Sequence, residues 1–297
     1  MFFMINIMQT GMRNEAADRF ADCVVSRTEN DLVLRMSLLM ITAFVMPLIS
    51  GLVTFYICNN YVREGVLSAD SIEISIYVFF AVLCSIISFI MFSMIGRTGS
   101  HRARDDEWME SLIEYAKSKG CDVSGLNKIK SNRGFASLSI SRVLSFICWT
   151  GTLVLLILTL FFFSTDLSHQ YPALSLIVTY LTILFQFFFV MGPTIRFAGN
   201  HESDQVQFTR ELKSLLAMKG IVIDSMSPAV PRTHRILWFL LTVVTLGLFH
   251  VILVIYSIYA LNRHLYNQWA YEERLLSTII GVEGATGIEV APKVKRK

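Results

Sequence analysis

Three histidines occupy matched positions in a recurring charged pattern. His101 opens "HRARDDEWMESLIEYAKSKG", His201 opens "HESDQVQFTRELKSLLAMKG", and His264 opens "HLYNQWAYEERLLSTIIG". Seven residues on stand Trp108, Phe208 and Tyr271, and eleven residues on stand Leu112, Leu212 and Leu275. The first two copies end on Lys119-Gly120 and Lys219-Gly220. Imidazole is a common metal ligand. If the copies converge, these rings with Asp105, Glu202 or Asp204 nearby form a surface metal site. Spacing alone does not bring them together, and a histidine at a helix start more commonly bonds the local backbone. The sequence therefore assigns no metal and no cofactor.

Other chemistry is sparse. The five cysteines, Cys23, Cys58, Cys84, Cys121 and Cys148, are odd in number and lack C-x-x-C spacing, which suggests neither a disulfide framework nor a thiolate cluster. There is no H-E-x-x-H, P-loop or G-x-S-x-G pattern, so no residue is nominated as catalytic and the expectation is a non-enzyme. His250 is the sharpest polar residue in the apolar runs, and Gln186 fits helix-to-helix glue better than ion selection.

The elements that position these residues are dominated by the bilayer. With 54% apolar and 16% charged residues and a mean hydropathy of +0.54, the chain is too oily for a soluble domain. Val143 to Phe163 runs 21 residues without a charge, and about 20 such residues cross the hydrocarbon core. The expected fold is all-α: a polytopic helical membrane protein of repeated units, each a membrane hairpin followed by a cytoplasmic helix. Spans are expected at about Met36–Tyr61, with a kink at Pro47 and Gly51, and at Ile74–Ile95, Val143–Phe163 and Pro172–Phe197. The chain divides into a cytoplasmic N-terminal segment, 1–35, and hairpin-plus-helix units at 36–120 and 121–220. A final apolar segment with its amphipathic helix follows at 221–280, then a flexible basic tail at 281–297.

Segment 96–138 holds eight Lys and Arg residues and segment 196–235 holds six, whereas the opposite loops share Arg63. The positive-inside rule places both segments and the N-terminus in the cytoplasm. Ile236 to Ala260 reads on length as a fifth full crossing that leaves the C-terminal helix outside. A re-entrant hairpin broken near Gly247 is the alternative. On this view the third copy is truncated, since one apolar run precedes it.

Offsets 0, 7 and 11 share one helical face, and glycine at offset 19 suits a helix terminator. The charged helices are expected along the membrane surface or beneath the spans, joined to them by short polar turns. Their stripe of Trp108, Leu112, Phe208, Leu212, Tyr271 and Leu275 is the candidate surface for partner contact.

Thr245-Leu246-Gly247-Leu248-Phe249, followed by Leu261-Asn262, resembles a prokaryotic membrane domain family of unknown function with a Thr-Leu-Gly-aliphatic-aromatic core. The resemblance covers about 30 residues and implies a prokaryotic inner-membrane setting without implying an activity. The functional expectation is an integral-membrane scaffold or regulatory component. It would be surrounded by membrane lipid and act in a homo-oligomer or on another membrane protein, with no nucleic acid. The alternative is a passive ion or small-solute channel formed by subunits, with Pro47, Gly51, Gln186 and His250 as candidate pore or gate residues.

Overall fold

The computed structural model describes residues 15–27, 31, 33, 38, 41–63, 71–132, 139–162, 170–230 and 235–283. The tail expected beyond 283 and the loops at 64–70 and 163–169 lie outside the described residues. Every regular element among the described residues is helical. Helix α1 (Glu15–Val25) turns Ala16, Phe20 and Val24 inward at four-residue spacing. A π-turn at Ile41–Val45 leads into α2 (Met46–Arg63), and α3 (Ser71–Ser118) follows. Next come α4 (Ser124–Ser131), α5 (Ser139–Phe162) and α6 (Gln170–Gln186). A second π-turn at Phe187–Met191 joins α6 to α7 (Gly192–Ala217). The chain then forms α8 (Arg235–Val244) and α9 (Leu248–Val282).

Five runs are long and apolar enough to cross a membrane: Ile41–Asn60, Ile72–Ser118, Ile140–Leu158, Leu174–Ala217 and Leu248–Val282. Their outward faces carry residues such as Leu52, Val53, Ile157, Leu181 and Ile252, which suit contact with lipid. The chain is thus an all-α, multi-pass helical membrane protein.

The charged helices are not separate bodies joined to the spans by turns. In α3 the span and its charged half form one helix of 48 residues. At 1.5 Å per residue it is about 72 Å long, against a hydrocarbon core of about 30 Å. The half bearing Arg97 to Ser118 therefore stands outside the bilayer. No proline interrupts "GRTGSHRAR", so continuing the helix keeps each backbone hydrogen bond where a turn would surrender several.

Both span-breaking prolines sit just after a π-turn. Pro47 follows Ile41–Val45 and Pro193 follows Phe187–Met191. Proline removes the bond to the carbonyl four residues back and crowds it, and the wider π-turn gives that carbonyl room. For Pro193 the freed carbonyl is that of Phe189, which accepts a hydrogen bond from the Ser141 hydroxyl at 3.0 Å.

The final apolar run is not a single helix, which corrects the expectation of one straight crossing. It breaks at Leu246 and Gly247, whose φ values are +50° and +90°. Trp238 of α8 meets Tyr256 of α9 at a ring-centroid distance of 4.8 Å. Eighteen residues of straight helix would separate them by about 27 Å, so α8 folds back along α9. Gly247 N–H donates to Thr242 O at 2.8 Å. The Thr245 hydroxyl bonds Leu241 O at 2.7 Å and accepts from Phe249 N–H at 2.9 Å. These bonds satisfy the backbone groups that the reversal frees. The run before His264 is therefore a short hairpin and not a lone helix.

Beneath the spans, α1, α4 and the polar halves of α3, α7 and α9 share one apolar core, joined by Ile221, Ile223 and Met226. The polar halves therefore lie on the same side of the membrane, against the expectation of an exported C-terminal helix. Gly120 and Gly220 end α3 and α7 with φ of +70° and +76°, as the terminator reading requires. Cys121 N–H bonds Ala116 O at 3.1 Å and Ile221 N–H bonds Leu216 O at 3.0 Å, the same six-to-one closure in both.

Candidate metal centre

The long helices deliver residues to their common core in layers. Uppermost, where the helices leave the bilayer, are His101 of α3, His201 of α7 and His264 of α9, all buried. One ring nitrogen of each lies within 4.8 Å of the other two. The imidazoles meet edge to face, with centroid separations of 5.2, 5.6 and 5.2 Å. The copies that spacing alone left apart converge, because three uninterrupted helices carry the same face to one axis. The rings sit in mid-helix, not at helix starts.

One pair of these nitrogens stands at ligand spacing. His101 Nε2 and His201 Nε2 are 3.2 Å apart, and two nitrogens bound at 2.0–2.1 Å to a tetrahedral ion stand about 3.3–3.4 Å apart. His101 Nδ1 lies 2.7 Å from Asp31 Oδ1, and its Nε2 is turned to His201. His264 Nδ1 is 3.5 Å from Glu202 Oε1, and its Nε2 is a buried nitrogen without a hydrogen-bond partner. Carboxylates behind Nδ1 are the usual outer support of metal-binding histidines.

The supports are themselves fixed. Asp31 Oδ2 accepts from Trp269 Nε1 at 2.8 Å and pairs with Arg104 at 3.0 Å. Burial opposes the Asp31 charge, but the hydrogen bond to His101 and the Arg104 charge outweigh it and hold the carboxyl below the usual carboxylate range. Both Glu202 oxygens accept backbone N–H groups, from Ala229 and Val230, each at 2.8 Å. Arg104 also grips both oxygens of Glu272, at 3.0 and 3.1 Å.

One turn below the histidines, at offset four, lie Asp105, Gln205 and Gln268, all buried. Both glutamine amides donate to Asp105 Oδ1, at 2.5 and 3.1 Å. Below them Trp108 meets Phe208 at 5.9 Å and Tyr271 at 6.4 Å between ring centroids. Leu112, Leu212 and Leu275 follow in the same core.

The six striped residues assigned to partner contact are therefore turned against one another inside the chain, and none presents an outer face. The residues do share one face, and its partner is the equivalent face of the neighbouring helices. Asp204, also named beside the histidines, is half-buried. The residues missed at the sequence level are Asp31, Arg104, Gln205, Gln268, Trp269 and Glu272. Offset four lies on the same helical face as offsets seven and eleven and could have exposed the Asp-Gln-Gln layer. Asp31 lies outside the pattern and carried no such signal.

The candidate pore residues lie apart from this centre. Pro47 is buried on α2. A Cβ on Gly51 would stand 3.3 Å from both Phe79 Cβ and Ser75 O, which marks a close approach of α2 to α3. Gln186 is buried and donates to Ser88 Oγ at 2.5 Å, linking α6 to α3. His250 is buried near the start of α9. No known family model matches the sequence, and neither the curated proteins nor the solved structures show a significant similarity to it.

Proposed function

We propose that the chain is an integral-membrane scaffold or regulatory component whose membrane-external core is locked by one divalent transition-metal ion. The ion is held by His101, His201 and His264, one from each long helix. The observation that carries this reading is the convergence of the three buried ring nitrogens within 4.8 Å. Around them Asp31, Asp105, Glu202 and Glu272 are opposed by one deeply buried arginine, Arg104. That excess of buried negative charge favours a dication. Zinc, with its preference for imidazole and tetrahedral geometry, is the natural occupant. A centre this enclosed suits a structural or switching role better than turnover, because catalytic metals keep an open position.

The matched His, aromatic and Leu layers support an origin from three hairpin-plus-helix units: α2–α3, α5–α7 and α8–α9. The positive-inside count supports a cytoplasmic position for their shared base, and the resemblance at Thr245–Phe249 would make the membrane a prokaryotic inner membrane. Metal binding would tie the units together, presenting a rigid base to another copy or to a second membrane protein.

The test is metal content of the untagged chain in lipid nanodiscs, dialysed against zinc and measured by mass spectrometry. Wild type should retain roughly one zinc, and His101→Ala, His201→Ala and His264→Ala should each lose it. Zinc at a hundred times its Kd should also stabilise the fold by about 2.7 kcal/mol. Wild-type zinc no higher than that of His264→Ala refutes the reading.

A further inference from the structure

We infer that Arg97 and Arg142 form a binding site for the phosphate of an anionic phospholipid, in the leaflet next to the charged core. The site lies on α3 and α5 and does not depend on the metal reading. Both arginines border an apolar run at the same end: Arg97 follows the span within α3, and Arg142 precedes Val143–Phe163. Far apart in the chain, they come to one level. The Arg142 guanidinium lies against Gly96, where a Cβ would stand 3.0 Å from its Nη2 and 3.1 Å from its Cζ. It also lies over the Phe92 ring, 4.8 Å from the centroid.

Neither cation has an anion. Among the described residues no carboxylate pairs with Arg97 or Arg142. Helix α5 contains no Asp or Glu, and the next acidic residue on α3 is Asp105, about 12 Å along the helix from Arg97. Arg97 Nη1 is buried and donates no hydrogen bond, a costly state for a charged donor. An arginine at the end of a span ordinarily extends its head into water. Arg142 is instead laid back on α3 by the Phe92 ring and the missing side chain of Gly96, against the residue that precedes Arg97. Guanidinia held in this way present N–H donors to phosphate oxygens, which arginine binds through paired hydrogen bonds.

The surface below suits the rest of a lipid. Phe92 meets Phe146 at 5.7 Å, Phe146 meets Trp149 at 5.9 Å, and Trp149 meets Phe89 at 5.2 Å between ring centroids. These rings lead from the Arg142 guanidinium into the span, and Phe89 and Phe146 are exposed. An acyl chain covers such a surface, whereas free phosphate leaves it bare.

The experiment titrates the full chain in detergent with phosphatidylglycerol and with phosphatidylcholine of the same acyl chains, counting bound lipid by native mass spectrometry. Wild type should bind its first phosphatidylglycerol about tenfold more tightly than phosphatidylcholine, a preference read without any variant. Arg97→Gln combined with Arg142→Gln should bring the two lipids within about twofold. Arg210→Gln combined with Lys213→Gln removes the same charge from exposed positions on α7, further from the membrane, and should keep the preference. Equal affinities in wild type, or a preference that survives loss of Arg97 and Arg142, overturn the inference. An equal loss in both double variants also overturns it, by reducing the effect to net charge. Displacement of the lipid by millimolar inorganic phosphate would make this a free-phosphate site and overturn the lipid assignment.

Discussion

Arg104→Met removes the one deeply buried arginine among the described residues and leaves Asp31 and Glu272 facing each other's charge. The Arg104 guanidinium lies 3.0 Å from Asp31 and 3.0 and 3.1 Å from the Glu272 oxygens. The three side chains are at most 1% exposed. At an effective dielectric constant of about 20, each unit-charge pair at 3 Å is worth about 5 kcal/mol before desolvation. Burying the ions offsets much of that, and breaking such a cluster on one side typically costs about 3–5 kcal/mol. Amide hydrogen exchange along 104–116 and 268–279 should therefore accelerate by roughly 10²–10⁴-fold.

The loss should appear with zinc and with chelator alike, since it originates in the charge network and not in the ligands. Adding Glu272→Gln should restore part of the protection by removing one uncompensated carboxylate. Glu272→Gln alone should cost less, because Arg104 keeps Asp31. Exchange in Arg104→Met within threefold of wild type, or a double variant worse than the single one, would refute the reasoning.

Trp108→Ala opens a hole in the aromatic layer against Phe208 and Tyr271 and should cost about 3–5 kcal/mol, read as an earlier loss of near-ultraviolet circular dichroism. Gly247→Ala forces a side chain into φ +90° with its Cβ 3.1 Å from Ile183. A penalty of about 1–3 kcal/mol should show as a shift in Trp238 emission as the α8–α9 hairpin loosens. Cysteines introduced at Val222 and Val282, both exposed, should react with an impermeant reagent from the same side of the membrane. Reaction from opposite sides would reinstate a single full crossing at 236–260. Chelation should speed tryptic cleavage after Arg19 and Arg27, because Asp31 ties the chain following α1 to His101; equal rates with and without zinc would disconnect the N-terminal segment from the centre.

The spans and the shared helical face were legible in the sequence because both are local signals. Apolar run length reports the bilayer directly, and the offsets shared by Trp108, Phe208 and Tyr271 report a helical face. Two things escaped because they are competitions that spacing does not decide. The break at Gly247 depends on whether one glycine and the Thr245 hydroxyl can satisfy a reversal. Run length alone favours the straight helix. The histidines' meeting depends on α3, α7 and α9 continuing unbroken out of the bilayer. Surface-lying helices after polar turns would have carried the same rings apart. Hence the stripe residues were read as an outer surface: without knowing that three such stripes share an axis, each appears to lack a partner.

The division of chemistry along the helices has a physical logic. Between lipid-immersed spans there is little hydrophobic drive to associate, since lipid tails are as apolar as leucine. The described interhelical polar contacts in that region include Gln186 with Ser88, Ser141 with Phe189 O, and Tyr180 with Val243 O. Outside the bilayer, burial of aromatic and leucine layers drives association strongly, but such layers can tolerate a change of register. The His and Asp-Gln-Gln layers cannot, because shifting any one helix by a turn would break the hydrogen bonds to Asp105 and separate the ring nitrogens. Placing those two layers where the helices leave the membrane transfers their register into the spans above. A dication there would act on the part of the molecule whose alignment lipid alone does not fix.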